Sequence, residues 1–423
     1  ETVLGTKFDG VAWYRRSFQA PLLEQGQRAV LRFHGAATEA RVWVEGSEVG
    51  GHLGAWTPFH FDVTQLLRPG RPAHLAVRLD EKVGHNTQGF LPIIAPHFGG
   101  LWQGVELLVT GPAWLDECRI GVDATGIPMD GKPARLLVEV PVEGAAPEGS
   151  RLHFRLLDRG RPLPGMRSIA VGDKLPRIEW TGPAEAWSPG SPRLYDLELS
   201  LIDGKGRMID RVSLRAGFRR VEADAGRILL NAAPLAVRGY LTWGYYPPLL
   251  APAPSAEQFR GELGALKARG FNLVKFCLWL PPRSFFRIAD EEGMLAWVEY
   301  PTWHPRIDQA HRAELLAEYT EMSSLDRNHA SVIFRSITCE TGPGADLEVI
   351  TALYRLLKQR APATLVVDDS SWIGWNRVHD FWDDHTYCSN LNWRAKLGSL
   401  HAHRLRHGMK PLLLGEEIGR AHV

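Results

Sequence analysis

Acidic residues follow strongly apolar runs at several points in the second half of the chain, where turn formers would be ordinary. Glu340 ends the stretch RNHASVIFRSITCE, and Glu416 ends KPLLLGE, with Glu417 directly after it. Glu299 closes a further apolar run, MLAWVE. If these runs are strands of one parallel sheet, the acidic groups at their carboxyl ends face a common opening.

Two carboxylates at one opening are the groups that glycoside hydrolysis needs, since one protonates the leaving oxygen and the other attacks the anomeric carbon. A retaining reaction requires a separation of about 5–5.5 Å and an inverting reaction about 6.5–9.5 Å. The sequence leaves this choice open. His385 and Tyr387 also follow a predicted strand and join the candidate site.

The strands that position these groups follow two β-rich regions. Short alternating runs such as RAVLRF and EARVWVEG indicate an antiparallel sandwich in residues 1–110. Runs such as RLHFRLLD and LYDLELSLID, in residues 111–222, have the spacing of an immunoglobulin-like sandwich.

From residue 223 to 423 strands alternate with amphipathic helices, which predicts a parallel sheet and, with this many units, a (β/α) barrel of the TIM type. Seven strands are predicted, near residues 235, 272, 294, 332, 364, 382 and 411. A closed barrel has eight. We therefore predict an incomplete barrel and interpret the sequence as a fragment that lacks the eighth strand.

Composition narrows the function classes. The 423 residues carry a formal net charge of +1, which gives no electrostatic reason to expect nucleic acid or an anionic membrane as a partner. No apolar run is long enough to cross a bilayer. We predict no nucleic-acid and no membrane partner, leave a homo-oligomer open, and assign no compartment.

Long patterns across nearly the whole chain resemble glycoside hydrolase family 2, which includes β-galactosidases, β-glucuronidases and β-mannosidases. The similar stretches are WYRRSF and FGGLWQGVEL in the first region, AWSPGSPRLYDLEL and AGFRRVE in the second, and LKARGFNLVKF, ADEEGMLAWVEYP, RNHASVIFRSITCE and KPLLLGEE in the third. The resemblance implies a sugar-binding-like jelly roll, an immunoglobulin-like sandwich and a catalytic barrel.

The resemblance also implies roles for single residues. Glu340 matches the family's general acid/base and Glu416 its nucleophile, with Glu417 as the fallback because EEIG has one extra residue before Gly419. His385 and Tyr387 match residues that line the sugar site. The implied activity is that of a retaining, exo-acting β-glycosidase that hydrolyses terminal β-linked sugars without a cofactor.

Departures from the family pattern leave a second function open. Cys339 stands where the family has an asparagine that bonds the sugar 2-hydroxyl, and a thiol is a weak donor and acceptor. Lys275 replaces a common arginine. The alternative is therefore a weakly active or non-catalytic carbohydrate-binding protein, and no particular sugar is assigned.

The remaining candidates are aromatic residues and thiols near strand ends. Trp243, Trp279 and Trp303 are candidates to stack on sugar faces, together with Glu299 and Cys339 as substrate-lining groups. Cys277, Cys339 and Cys388 suggest zinc only if they converge, and their spacing matches no local zinc motif, so we predict no metal site. We expect Arg327, Asn328 and His329 to have a structural role at the entry to the fourth strand.

Overall fold

The computed structural model describes residues 8, 10–82, 84–90, 99–128, 131–246, 251–387 and 392–417. The chain is mostly β-structure with five α-helices among these residues, and the helices all follow residue 250. This order agrees with two predicted sandwiches followed by alternating strands and helices.

The first region consists of two antiparallel sheets that enclose one apolar core. Their orders are β1-β6-β3-β4 and β5-β2-β7. Alternating side chains such as Ala29, Phe33, Val42 and Val77 point inward and are buried. The strands are β1 Val11–Gln19, β2 Arg28–Phe33, β3 Glu39–Val44, β4 Ser47–Leu53, β5 Phe59–Asp62, β6 Pro72–Asp80 and β7 Val105–Thr110.

The second region has a separate core between its own sheets. Phe154, Trp180 and Leu197 are among its buried side chains. The main sheet runs β13-β12-β16-β17, with β14 also on β12, and faces a sheet β15-β10-β9. The strands are β8 Ala113–Leu115, β9 Gly121–Gly126, β10 Ala134–Glu139, β11 Val142–Gly144, β12 Arg151–Asp158, β13 Arg161–Pro162, β14 Arg167–Ala170, β15 Arg177–Gly182, β16 Tyr195–Ile202 and β17 Met208–Ala216.

A small sheet separates this region from the parallel strands and corrects one prediction. The run LAVRGY was expected to form the first parallel strand near residue 235. Instead, Ala233 and Pro234 turn back onto the preceding strand, and the Leu235 amide donates to Ile228 O. The parallel sheet therefore begins only at Gly239. The three strands of the small sheet are β18 Val221–Asp224, β19 Arg227–Leu230 and β20 Ala233–Pro234.

Seven parallel strands follow within the described residues. Five pair consecutively, from β21 to β25, and the last two, β26 and β27, pair with each other. The elements are β21 Gly239–Thr242, α1 Ala256–Ala268, β22 Leu273–Phe276, α2 Arg283–Glu292, β23 Leu295–Glu299, α3 Arg312–Asp326, β24 Val332–Cys339, α4 Leu347–Arg360, β25 Leu365–Ser370, β26 Trp382–His385, α5 Trp393–His407 and β27 Leu412–Glu416. Closure of these strands into a barrel stays a prediction.

Local sequence signals explain why the helices begin and end where they do. Ser255 caps α1, because its hydroxyl accepts from the Gln258 amide at 3.0 Å. Asp346 caps α4 in the same way. Gly270 and Gly293 follow α1 and α2 with positive φ, which a glycine adopts without steric cost. No helix in the described part of the chain combines the length and apolar character needed to span a bilayer.

The segment Arg327–His329 fastens the second region to the parallel strands. Arg327 donates to Arg119 O at 2.7 Å, and the Asn328 side chain pairs with the Ile120 carbonyl and the Val122 amide, both at 2.8 Å. His329 Nδ1 lies 2.6 Å from Asp290 Oδ2. These contacts support the expected structural role and extend it, because the segment joins two regions as well as ending α3.

A buried ion pair fixes the end of α3 against β24. Arg335 and Asp326 are fully buried, and the guanidinium bonds both carboxylate oxygens, at 2.7 and 3.3 Å. Tyr300 donates to the same carboxylate at 3.0 Å, and Thr364 accepts from the guanidinium. Both charges therefore have partners although the two side chains are inaccessible to water.

We predict that Asp326→Ala lowers the free energy of unfolding by about 3–5 kcal/mol, because it leaves the Arg335 charge buried and unpaired. Urea denaturation followed by tryptophan fluorescence measures the loss. The double variant Asp326→Leu with Arg335→Met removes both charges and should lose less. Equal losses in the single and double variants would show that the unpaired charge is not the cause.

Candidate active site

Glu340, His385 and Glu416 meet at the carboxyl ends of β24, β26 and β27. His385 Nδ1 lies 2.9 Å from Glu340 Oε1 and 3.7 Å from Glu416 Oε2. One carboxylate oxygen of Glu340 and one of Glu416 lie within 4.8 Å of each other. The structure therefore brings together three side chains, although Glu340 and Glu416 are 76 positions apart in the sequence.

The His385 ring has a hydrogen-bonding partner at each nitrogen. Its Nδ1 faces the Glu340 carboxylate, which can only accept while it is ionised. Its Nε2 lies 3.1 Å from Ser370 Oγ, whose own proton is directed to Asp383 Oδ2 at 2.6 Å. While Ser370 donates to Asp383, Nε2 can donate to Ser370 Oγ, and this arrangement favours the protonated ring.

The hydrogen bond from His385, and the charge of this ring when it is protonated, lower the pKa of Glu340 below its ordinary value. Burial alone would lower the pKa of His385, but the hydrogen bond to Glu340 and the nearby Asp383 and Glu299 carboxylates outweigh it, and the His385 pKa is raised. At neutral pH Glu340 is consequently ionised.

Backbone geometry at the ends of three strands is unusual for residues other than glycine. Glu340, Leu278 and His304 have φ values of 49°, 60° and 48°. Such left-handed conformations are uncommon and cluster at functional sites. The Glu340 amide is held by Ser370 O at 3.0 Å, which fixes the turn that directs its side chain toward His385.

Lys275 is buried below Glu340, His385 and Glu416, and its ammonium group contacts residues of three other strands. Its ammonium group contacts Glu299 Oε2 at 2.7 Å, Ser370 Oγ at 2.9 Å and Gly415 O at 3.1 Å. It also lies 4.7 Å from the centre of the Trp297 ring. Two ammonium protons are donated to Ser370 and Gly415, and the ion pair with Glu299 balances the charge inside the sheet.

Asp383 forms the other buried part of this layer. Burial raises the pKa of its carboxyl group to about 6. Gly415 on the adjacent strand has no side chain, and a Cβ there would collide with the Asp383 carboxylate. The glycine of LLLGE therefore makes room for an acidic group beneath the site.

Cys339 and Glu299 do not line the opening, which corrects two predicted substrate contacts. Cys339 is 2% exposed and packs with Cys277, and Glu299 is fully buried. Cys277 Sγ donates to Glu299 Oε1, and burial raises the Cys277 pKa to about 11. Both residues support the layer below the site, because the strand ends direct these side chains into the sheet interior.

The prediction that Trp279 contacts substrate is also wrong, whereas Trp243 and Trp303 lie at the opening. Trp279 is fully buried, and its indole donates to Thr242 O at 2.8 Å, so it belongs to the core. Trp303 is partly exposed and hydrogen-bonds Glu340. Trp243 is 39% exposed.

Phe90 completes this aromatic surface from the first region. Its ring centre lies 4.9 Å from that of Trp243 and 5.1 Å from that of Trp303. The loop that carries it is anchored on α3, because His85 Nε2 lies 2.9 Å from Glu318 Oε2 and Thr87 donates to the same carboxylate. We call Phe90, Trp243 and Trp303 the aromatic wall.

The two remaining candidates lie beside Glu416. Tyr387 is 48% exposed and hydrogen-bonds Glu416. Burial, followed by this carboxylate, raises the Tyr387 pKa. Glu417, the fallback nucleophile, is exposed and takes no part in the contacts between Glu340, His385 and Glu416.

Potential metal ligands occur in three groups within the described residues. The groups are Glu299, Cys339 and His385; His85, Glu314 and Glu318; and Glu340, His385 and Glu416. Ion pairs join members of the second and third groups. Cys388, which the zinc alternative needs, lies outside the described residues.

The sequence did not lead us to predict Phe90, Ser370 or Asp383 as parts of the site. For Lys275 it predicted no buried contacts below the site. Asp383 has a signal in the sequence, since it precedes His385 by two positions and shares its side of the strand. Phe90 has none, because it lies in another region of the chain.

We predict that the pair of Glu340 and His385 stabilises the fold most between about pH 4.5 and 6.5. The lowered Glu340 pKa gives stability that is present above 4.5 and lost as pH falls through the folded value. The raised His385 pKa gives stability that is present below 6.5 and lost as pH rises through its folded value.

Urea midpoints of the unchanged chain and of Glu340→Gln, measured from pH 3 to 9, test this window. The difference between the two should be greatest inside it. Glu417→Gln is the matched control and should show no such maximum. A difference that does not vary with pH would contradict the charged pair.

Comparisons with known proteins show what the chain is similar to. Residues 8–89 match the family profile described as "Glycosyl hydrolase 2 galactose-binding domain-like", and residues 132–219 match "Glycosyl hydrolases family 2". A β-galactosidase of Thermoanaerobacter pseudethanolicus is 26% identical over 338 residues, which cover 76% of this chain and 44% of that protein. A β-glucuronidase of Paenibacillus borealis is 26% identical over 406 residues, which cover 84% of this chain and 64% of that protein.

The fold is shared with solved structures. The structure of Bacteroides uniformis β-glucuronidase 3 superposes with a TM-score of 0.82 at 20% identity, and covers 98% of this chain and 55% of that one. The chain thus spans less than two thirds of the length of these relatives. Two stretches of the chain, residues 8–89 and 132–219, thus match domain profiles of glycoside hydrolase family 2, and the curated relatives are β-galactosidases and β-glucuronidases.

Proposed function

We propose that the chain carries the catalytic carboxylates of a retaining, exo-acting β-glycosidase, with Glu416 as nucleophile and Glu340 as general acid/base. The observation that carries the proposal is the approach of their carboxylate oxygens to within 4.8 Å across the His385 ring. Oxygens this close favour direct attack by one carboxylate, as in a retaining enzyme, over activation of a water held between the two.

In the first step Glu416 attacks the anomeric carbon, and Glu340 gives its proton to the leaving oxygen as the glycosidic bond breaks. A covalent glycosyl-enzyme forms. In the second step Glu340 removes a proton from water, the oxygen of which attacks the anomeric carbon and releases Glu416. Tyr387 supports the nucleophile by its hydrogen bond to Glu416.

The resting charge state favours the second step more than the first. His385 keeps Glu340 ionised, which is the form that accepts a proton from water. The first step needs the protonated form. Binding of the sugar against the aromatic wall therefore has to exclude water and favour the neutral carboxyl group before the bond breaks.

We also propose that the seven parallel strands are part of a barrel. Lys275 on β22 supports this, since it contacts groups at the ends of β23, β25 and β27 across a shared interior. The domain boundaries 1–110, 111–222 and 223–423 belong to the same proposal, and the two profile matches fall inside the first two domains.

The curated relatives are β-galactosidases and β-glucuronidases, so these are the first sugars to test. We propose a terminal β-linked sugar as substrate. The aromatic wall closes one side of the site, which supports action at chain ends. Binding without turnover remains the second candidate, motivated by Cys339 in place of a sugar-binding asparagine.

We predict that Glu340→Gln lowers kcat about 10²–10⁴-fold on aryl β-glycosides with poor leaving groups, and much less on dinitrophenyl glycosides, because a good leaving group needs no proton. Glu416→Gln should lower kcat on both kinds. The measurement is hydrolysis of a panel of aryl galactosides, glucuronides, mannosides, glucosides and arabinosides.

Glu417→Gln is the matched control and should retain the rate. Loss of activity in this variant instead of Glu416→Gln would transfer the nucleophile to Glu417. Full activity of Glu340→Gln would overturn its assignment. Sugar affinity without turnover by the folded chain would favour the binding protein.

We predict that Phe90→Ala raises KM about two- to twelvefold with little change in kcat, since one aromatic contact contributes about 0.5–1.5 kcal/mol. Trp13→Ala is the control, because Trp13 is 53% exposed and contacts Trp43 away from the site. Equal effects of the two variants on KM would remove Phe90 from the substrate site.

A further inference from the structure

A cavity of about 310 Å³ lies where the second region meets the parallel strands, at the opposite end of β24 from Glu340. Its walls are the sheet residues around Gly121–Thr125, the Arg327–Ala330 turn and the segment after α4, from Ala361 to Thr364. The volume is at the lower end of the range for small-molecule sites.

Four arginines and only two carboxylates line the cavity. The arginines are Arg177, Arg219, Arg327 and Arg360, and the carboxylates are Asp123 and Glu139. Glu139 already pairs with Arg177 at 2.8 Å. The surplus of positive charge is concentrated in the other three arginines, although the chain as a whole is nearly neutral.

The guanidinium groups of these three arginines bond to neutral partners. Arg219 donates to four backbone carbonyls, of Ala330, Ala363, His329 and Val332. Arg360 donates to the hydroxyls of Ser323 and Ser324. Among the described residues, none of the three forms an ion pair with a carboxylate within 4.0 Å.

Two buried nitrogen atoms at the cavity have no hydrogen-bond partner in the described part of the chain. They are Arg327 Nε and His329 Nε2. His329 is 6% exposed, and its other nitrogen is held by Asp290. Buried polar atoms without partners are rare in folded proteins, and Arg327 Nε always carries a hydrogen, so it points to a ligand that accepts a hydrogen bond.

The electrostatics agree with this geometry. Burial, followed by repulsion from Arg360, lowers the pKa of Arg327 to about 10. Burial and Arg335 lower the pKa of Arg219 to about 10. Bringing an anion into the cavity would relieve both effects.

We propose that this cavity binds a small organic phosphate, with the phosphoryl oxygens held by Arg327, Arg360 and Arg177. Guanidinium groups suit this role because their planar fork bonds phosphate oxygens in pairs. The cavity has room for a compact organic group beside the phosphate. The bound molecule bridges the second region and the parallel strands, independently of the glycosidase proposal.

The test is isothermal titration and thermal unfolding of the full chain with inorganic phosphate and with glucose 6-phosphate, against sodium chloride at matched ionic strength. Saturable binding with a rise in Tm is expected for both phosphates, since a ligand of the folded state stabilises it by mass action. Tighter binding of glucose 6-phosphate would support an organic phosphate as the ligand. Tighter binding of inorganic phosphate would overturn the proposal that the ligand carries an organic group.

Variants distinguish this cavity from general charge effects. Arg360→Gln should weaken binding at least tenfold, and Arg177→Gln, which changes a largely exposed side chain, provides a second test that does not endanger folding. Glu139→Gln should tighten binding, because it removes a competing carboxylate. Arg227→Gln, exposed and paired with Asp224 outside the cavity, is the control and should bind unchanged.

Absence of saturable binding, or equal binding by the Arg177, Glu139 and Arg227 variants, would overturn the proposal.

Discussion

The buried ammonium group of Lys275 is the interaction on which the candidate site depends. Removing a charge from water costs several kcal/mol unless every proton has an acceptor. Here Ser370 and Gly415 accept hydrogen bonds from the ammonium group and Glu299 balances its charge, on three different strands. The strands must keep their relative positions to satisfy the charge, and Glu340, His385 and Glu416 stand at or next to the ends of strands in the same group.

Shared hydrogen bonds connect the buried Lys275 to the residues of the candidate site. The Ser370 hydroxyl accepts a hydrogen bond from Lys275 and donates one to Asp383. It also lies within hydrogen-bonding distance of the His385 ring. His385 lies 2.9 Å from a Glu340 oxygen and 3.7 Å from a Glu416 oxygen and so bridges the two carboxylates. Lys275 thus holds Ser370, which contacts His385, and His385 in turn contacts Glu340.

The outer part of the site depends on contacts between regions. His85 and Thr87 anchor the loop of the first region on Glu318, and this docking places Phe90 against Trp243 and Trp303. At the other end of β24, the Arg327–His329 segment joins the second region. The strand that leads to Glu340 is therefore positioned by both β-rich regions, although neither supplies a carboxylate to the site.

The sequence by itself determined the order of the regions, the helix caps at Ser255 and the glycine ends, and the strands that lead to Glu340 and Glu416, because periodicity and capping are local properties. Tertiary structure decided which side chains reach the opening. Trp279, Cys339 and Glu299 have the same position near strand ends as Trp303 and Glu340, but they turn inward and are buried. The direction of a side chain at a strand end depends on local twist and on its partners from distant strands, and Phe90 comes from a different region, so pattern alone could not place these residues.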